Sequence, residues 1–589
     1  MPTRRGRPRA VLATLVLGVS VLGAAFLGGP AGAAPPPVPD PAPAVLHVVT
    51  AADVDPADLA RRLLDHGLDV VARDGDRLVV VGPENLTDQL RRLGAHPVER
   101  RIVPPAAHPR QPAEYPLPRR LAGRTYPTVY GGYRTVEAFR MFHADLAAAY
   151  PELVRRVEYG QSWRRTQDAT TGHPLEALCV TANAANGCAL RPDSAKPRFL
   201  VMAQIHAREL TAGEIAWRLL THLVDAYQEN AEVTALLEST EVWVVPQANP
   251  DGTEVSLRGL EEEGTVMTSP AWQRKNVDDA DNDGAPCTGP WAVSQDGVDL
   301  NRNWDSHWGG KGSSPDRCNL AHHGPKAASE PETSQLATLF ERLFPDQRGP
   351  GAQGPAPPTA RGAMVTLHSF SDLVLLPWGY DSEVKTPNDA GLRSMAFRMS
   401  YYNGYRTGQP GEVLYDAAGG TDDWTYERLG LASFTYEVGP VDGECSGFFP
   451  PYSCQERFWT ANRPALLYAA KAARQPYALS LGPTVTALEL RRARDAAVEV
   501  TARADDDAYG RQGVGRPAAQ RVTEAELYLG RAPWDGGRPL ALQVHGDGSA
   551  VELRGTIDAP DAGHPELVYV RAKDADGNWG PVAVAWLPR

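Results

Sequence analysis

The residues best suited to chemistry are His206 and Glu209, three apart in Gln204-Ile205-His206-Ala207-Arg208-Glu209. The segment follows an apolar run that reads as a strand and precedes a helical pattern, so its side chains fall where the carboxyl end of a sheet meets a ligand. An imidazole and a carboxylate at this spacing reach one metal ion, but a catalytic zinc takes three protein ligands and keeps a position for water. His368, closing the apolar run Val365-Thr366-Leu367-His368, supplies a third. His and Glu are also common on exposed loops, so the pair alone leaves a purely structural role open. A second candidate is Asp279-Ala280-Asp281-Asn282-Asp283-Gly284, with carboxylates at Asp279, Asp281 and Asp283 and glycine sixth, as calcium loops have them. The twelfth position is Pro290 rather than Glu, which leaves calcium and a solvated acidic turn both open. The neighbours His322 and His323 do not readily converge on one ion and are expected on a surface loop.

Elements that could position these residues follow from periodicity. Residues 44–103 read strand, helix, strand, strand, helix, strand, with a turn at Asp74-Gly75-Asp76, the order of a small ferredoxin-like unit. Residues 104–125 are rich in Pro and Arg without hydrophobic periodicity, a linker open to proteolysis. From 126 to 477 helical patterns alternate with short apolar runs, which predicts an α/β domain whose mixed, mostly parallel twisted sheet is covered by helices on both faces. From 478 to 589 short alternating stretches separated by turn residues predict a C-terminal β-sandwich.

The chain has 589 residues, 42% of them apolar and 22% charged, the composition of ordinary globular domains. Its formal charge of -13, with no Lys/Arg-rich run after the N-terminus, argues against nucleic acid and against anionic lipid as partners. Residues 1–33 have a basic start, an apolar stretch and Ala31-Gly32-Ala33, the pattern of a cleaved secretory signal peptide, which predicts an extracellular protein with no membrane segment after its removal. The cysteines form three neighbouring couples, Cys179/Cys188, Cys287/Cys318 and Cys445/Cys454; in an exported protein they read as disulfides, for which short-loop pairing is the simplest arrangement, although the sequence leaves the connectivity open.

Read in order, further fragments sharpen the picture. The chain resembles zinc carboxypeptidases of the funnelin type, relatives of pancreatic carboxypeptidases A and B and bacterial carboxypeptidase T. The resemblance is carried by His206-Ala207-Arg208-Glu209, Asn249-Pro250-Asp251-Gly252, Trp272-Gln273-Arg274-Lys275-Asn276, Gly297-Val298-Asp299-Leu300-Asn301-Arg302-Asn303-Trp304, His368-Ser369-Phe370-Ser371, Leu414-Tyr415, Gly419-Gly420-Thr421-Asp422-Asp423-Trp424 and Phe434-Thr435-Tyr436-Glu437.

The resemblance implies that His206, Glu209 and His368 hold one Zn2+, that Asp299 orients His206, and that Glu437 is the general base. It implies that Arg274 polarises the scissile carbonyl, that Arg302 with Asn301 and Tyr415 clamps a terminal carboxylate, and that Arg208 lines the groove. Asp422 falls on the floor of the side-chain pocket, where an acid suits Lys or Arg; the competing reading is that it merely bonds backbone. Residues 34–103 look like an inhibitory prosegment, and cleavage in 104–125 by an activating protease is then expected. The expected substrates are the C-termini of peptides or proteins ending in basic, or in mixed basic and hydrophobic, residues, with cell-wall stem peptides as a rival class and a non-catalytic binding protein on the same fold as a second rival.

Overall fold

The computed structural model describes residues 43–51, 54–103, 116–280, 287, 295–349, 351, 354–493, 497–558 and 564–588. The expected signal peptide and most of the expected linker lie outside the described residues, as do Asp281 and Asp283.

An eight-stranded sheet occupies the centre, in the order 406–408, 373–375, 432–437, 363–368, 198–203, 241–245, 174–180, 154–161. The four middle strands, 432–437, 363–368, 198–203 and 241–245, run parallel, and antiparallel pairs join the flanking strands 373–375 and 174–180 to them. The apolar middle strands are buried on both faces, as a parallel sheet covered by helices requires. Alternation sorts their side chains. Phe199, Val201 and Ala203 join one core with Val365 and Leu367, against the helices Val136–Ala149, Leu210–Ala226 and Cys454–Ala472. Leu200 and Met202 join the opposite core with Trp243 and Met364, against Pro331–Leu343 and Thr421–Leu429. The expected mixed, mostly parallel sheet between helical layers is what the chain adopts.

The N-terminal sheet, ordered 69–74, 77–83, 44–51, 95–102, is antiparallel. Its strands also sort by parity. Val49, Val70, Leu78 and Val80 face the unit's own helices, whereas Leu46, Val48, Val71 and Val79 pack with Tyr133, Phe370, Phe448 and Tyr452 of the α/β region. At the other end two four-stranded antiparallel sheets enclose Val498, Val500, Leu527, Val568 and Val570. A buried ion pair, Arg398 Nη2 to Asp506 Oδ1 at 2.8 Å, joins this sandwich to the helix Asp389–Asn403.

The three short-loop disulfides form: Cys179–Cys188, Cys287–Cys318 and Cys445–Cys454. One expectation is corrected. His322 and His323 are buried rather than on a surface loop, because the Trp308 ring lies 4.4 Å from that of His323 and backbone carbonyls engage both imidazoles.

Candidate metal centre and substrate groove

The site lies at the carboxyl ends of the parallel strands. The strand Arg198–Ala203 delivers the loop that carries His206 and Glu209, and the helix Leu210–Ala226 starts immediately after it. His368 and Glu437 end two adjacent parallel strands in the same register, so they are direct neighbours. Asn249 ties the remaining pieces together. Its Oδ1 accepts from Gly252 N and caps the helix Pro250–Glu262, while its Nδ2 donates to the carbonyls of Ile205 and Lys275. One side chain thus fixes the His206 loop against the Arg274 segment. Asn276 Oδ1 accepts from Val298 N, and Gly297 has φ +99°, with the Asn276 carbonyl where a Cβ would stand. Only glycine permits that approach, which seats Asp299 beside Arg274.

Three ligand atoms converge. His206 Nδ1 is 2.8 Å from Glu209 Oε1, His368 Nδ1 is 3.0 Å from Glu209 Oε2, and the two Nδ1 atoms are 3.1 Å apart. All three residues are buried, and they form the one such group among the described residues. Two imidazole nitrogens this close to each other and to a carboxylate need a shared proton or a metal cation between them. Zinc bonds of about 2.0–2.1 Å in tetrahedral array place ligand atoms about 3.3 Å apart, close to these separations. Glu209 Oε2 also lacks an aligned hydrogen-bond donor despite full burial. The residues fit zinc.

Asp299 is the hub beneath them. Its Oδ1 is 3.2 Å from His206 Nε2, and its Oδ2 accepts from Arg274 Nε at 3.0 Å and Nη2 at 2.9 Å. Burial opposes its charge, but Arg274 and then His206 hold the carboxyl well below the usual range. Burial likewise disfavours a charged Glu209, yet the two imidazoles keep it ionised. Glu437 behaves oppositely: burial pushes its carboxyl up to about 8 and Glu209 adds to the rise, against the pull of His368, Arg274 and Arg208.

The groove cavity is about 60 Å³, room for a few waters, and is lined by His206, Arg274, Arg302, Tyr415, Asp422 and Glu437, among others. Arg302 is buried and forms no ion pair among the described residues; its Nε donates to the Gly312 carbonyl and its Nη1 to that of Asn301. Asn301 Oδ1 accepts from the backbone and hydroxyl of Thr421. Asp422 is buried without a cation, its Oδ1 accepting from Asp423 N and its Oδ2 from the Thr435 hydroxyl. Burial raises its pKa. Asp423 faces away, accepting from the backbone of Gly379 and Tyr380.

Two participants escaped the sequence reading. Thr435 was quoted only as part of a motif, yet it orients Asp422. Asp69, at the start of a strand of the N-terminal unit, carried no signal at all; it forms a buried ion pair with Arg208 at 2.8 Å. The unit makes further contacts with the α/β region. Arg73 Nη1 donates to the carbonyls of Gly411 and Leu414, Ser371 Oγ to that of Val71, and Asn319 Nδ2 to that of Leu64. Of the acidic loop's carboxylates only Asp279 is described, and Asp279 belongs to no cluster able to hold a metal among the described residues.

The family described as "Zinc carboxypeptidase" matches residues 140–465, more than half of the chain. Zinc carboxypeptidase A 1 of Anopheles gambiae is 28% identical over 396 residues, covering 65% of this chain and 78% of that protein. Carboxypeptidase A2 of Rattus norvegicus is 27% identical over 317 residues, or 52% of this chain; the match spans 63% of the rat protein, less than two thirds of its length. Among solved structures, carboxypeptidase A from Helicoverpa armigera superposes with a TM-score of 0.57 at 20% identity, over 74% of this chain and 98% of that one. Thrombin activatable fibrinolysis inhibitor does so with a TM-score of 0.53 at 18% identity, again over 74% and 98%. At these identities the two structures speak for the fold.

Asp299→Ala removes the acceptor for His206 and leaves Arg274 unpaired. The expected result is a loss of zinc affinity of about 10–100-fold, measured by competition with a chelator.

Proposed function

The chain belongs to the zinc carboxypeptidase family, enzymes that hydrolyse C-terminal peptide bonds, and from that premise we propose that it is an exported, latent metallocarboxypeptidase favouring Lys or Arg at the substrate terminus. The observation that carries the reading is the convergence of His206, Glu209 and His368 beside Glu437, in a cavity that also holds an unpaired arginine.

In this reading His206, Glu209 and His368 hold the zinc ion, and Asp299 fixes the ring of His206. When bound, zinc supplies Lewis acidity that lowers the pKa of a water toward about 7 and polarises a carbonyl. Glu437 accepts the proton of the attacking water. Arg274 donates to the scissile carbonyl oxygen as negative charge gathers there, a stabilisation that ranks among the largest catalytic terms. Arg302 grips the terminal carboxylate through two parallel N–H donors, for which its lack of an internal carboxylate leaves it free. Asn301 and Tyr415 flank that clamp, and Arg208 lines the groove further out.

Asp422 is the ground for the basic preference. A buried carboxyl without a cation is costly to ionise, and an incoming ammonium or guanidinium offsets that cost where an apolar side chain does not. Export is supported by the leader-like residues 1–33, by the three disulfides, and by the finding that no helix among the described residues is long and apolar enough to cross a membrane. Latency is supported by the N-terminal unit, whose Asp69 occupies Arg208 with the charge type a substrate would bring. Cleavage in 104–125 by another protease would then free the groove. Nothing among the described residues adds to a calcium reading.

Zinc content, together with release of C-terminal Arg, Lys, Leu and Phe from blocked dipeptides before and after limited proteolysis, tests the whole. A protein that takes up no zinc and trims no chain end in either state excludes it. Glu437→Gln is expected to lower kcat by about 10²–10⁴ with zinc content unchanged. Because burial raises the pKa of Asp422, its charge develops above the ordinary carboxylate range. The ratio of kcat/KM for Arg-ended over Leu-ended substrate should therefore climb with pH in the parent, and lie at least about tenfold lower and flat with pH in Asp422→Asn. In the unprocessed chain Asp69→Ala is expected to raise basal turnover, and after proteolysis to change nothing.

A further inference from the structure

The β-sandwich does not merely abut the α/β region; it encloses a cavity against it of about 230 Å³. One wall is the helix Ala231–Ser239 and the chain just after the helix Cys454–Ala472; the other is the Pro533-Trp534 turn and the strand Ala583–Trp586 with the Pro581-Val582 segment before it. The walls are mainly apolar, contributed by Ala235, Leu236, Leu479, Val582 and Val584.

Three cationic side chains reach this space, and they are not equivalent. Lys471 is paired with Glu232 at 2.9 Å, and Arg571 with Glu526 at 2.7 Å. Arg474 has no ion pair among the described residues; its Nη2 donates to the Ser239 carbonyl at 3.1 Å, and its guanidinium lies 4.0 Å over the centre of the Trp534 ring. Burial, with the charge of Arg361, pulls its pKa down to about 10, and the nearby Asp535 offsets only part of that fall. Beneath it the Trp534 indole N–H is buried and donates to no acceptor. A cation held over an indole with only a carbonyl partner keeps donors free for an anion entering the space beside it.

We propose that this cavity binds a small monocarboxylate carrying an aromatic or branched aliphatic body, with the carboxylate received by Arg474 and the body lying along Leu236, Val582 and Val584. A dry cavity of about 150 Å³ holds benzene, so this volume suits a ligand of about ten non-hydrogen atoms. A phosphate fits less well, since one unpaired cation and apolar walls cannot satisfy a dianion. Because the walls belong to two parts of the chain, the bound acid clamps the sandwich to the α/β region. The site is remote from the peptide groove and shares none of its lining residues.

The probe is 3-phenylpropanoate, titrated calorimetrically into the full chain, with 3-phenylpropanamide as its uncharged counterpart. The acid is expected to bind with Kd below about 1 mM and at least tenfold more tightly than the amide. Arg474→Gln should weaken the acid at least tenfold, whereas Arg302→Gln, which alters the groove, should leave that binding in place. No heat below about 10 mM acid, or equal affinity for acid and amide, overturns the proposal on the unmodified protein, even if a variant fails to fold. Binding lost in Arg302→Gln but kept in Arg474→Gln places the acid in the peptide groove and equally overturns it.

Discussion

The site depends on one buried carboxylate held between two partners. Asp299 takes Arg274 with one oxygen and His206 with the other. An isolated ion at that depth would cost several kcal/mol, so neither Asp299 nor Arg274 can be buried there alone. Paired, they tie His206, in the candidate metal cluster, to the Arg274 guanidinium. Asp299 also accepts from Asn301 N, which carries the same order one step along the chain to Arg302. The charged machinery is therefore a single rigid network whose parts are spaced by backbone hydrogen bonds rather than by long flexible side chains.

The network is deliberately unbalanced. Arg302 is a buried cation with carbonyl partners alone, and Asp422 is a buried acid bonded to a hydroxyl and an amide. Among the described residues each lacks a counter-charge. Such unpaired groups reduce the stability of the free protein, and buried charges of this kind cluster at functional sites. Gly419 makes the arrangement possible: at φ +75° its missing Cβ leaves room for the Arg302 carbonyl, so the pocket floor and the clamp stand back to back.

The N-terminal unit obeys the same logic from outside. Its sheet presents one parity of side chains to its own helices and the other to the α/β region, so it is stable only while one apolar face stays covered. That face brings Asp69 to Arg208. The unit also reaches the α/β region through Arg73, which donates to the Gly411 carbonyl, and through the Val71 carbonyl, which accepts from Ser371.

Periodicity was enough for the layers. Apolar runs buried on both faces identify the parallel strands, and strict alternation identifies the C-terminal sandwich, because each pattern follows from which faces a strand must hide. The candidate site residues are legible for a different reason: His206, Glu209 and His368 stand at the ends of apolar strands, whereas Asp299 and Arg302 stand out only through the resemblance of their motif to that of a known family. What the linear chain could not disclose was every contact between segments far apart. Asp69 on Arg208, Thr435 on Asp422, the burial of His322 and His323, and Arg474 stacked on Trp534 arise from how whole sheets and helices dock. Amino-acid type and local spacing determine which groups can bond; only tertiary packing decides which of them are withdrawn from water, and with whom.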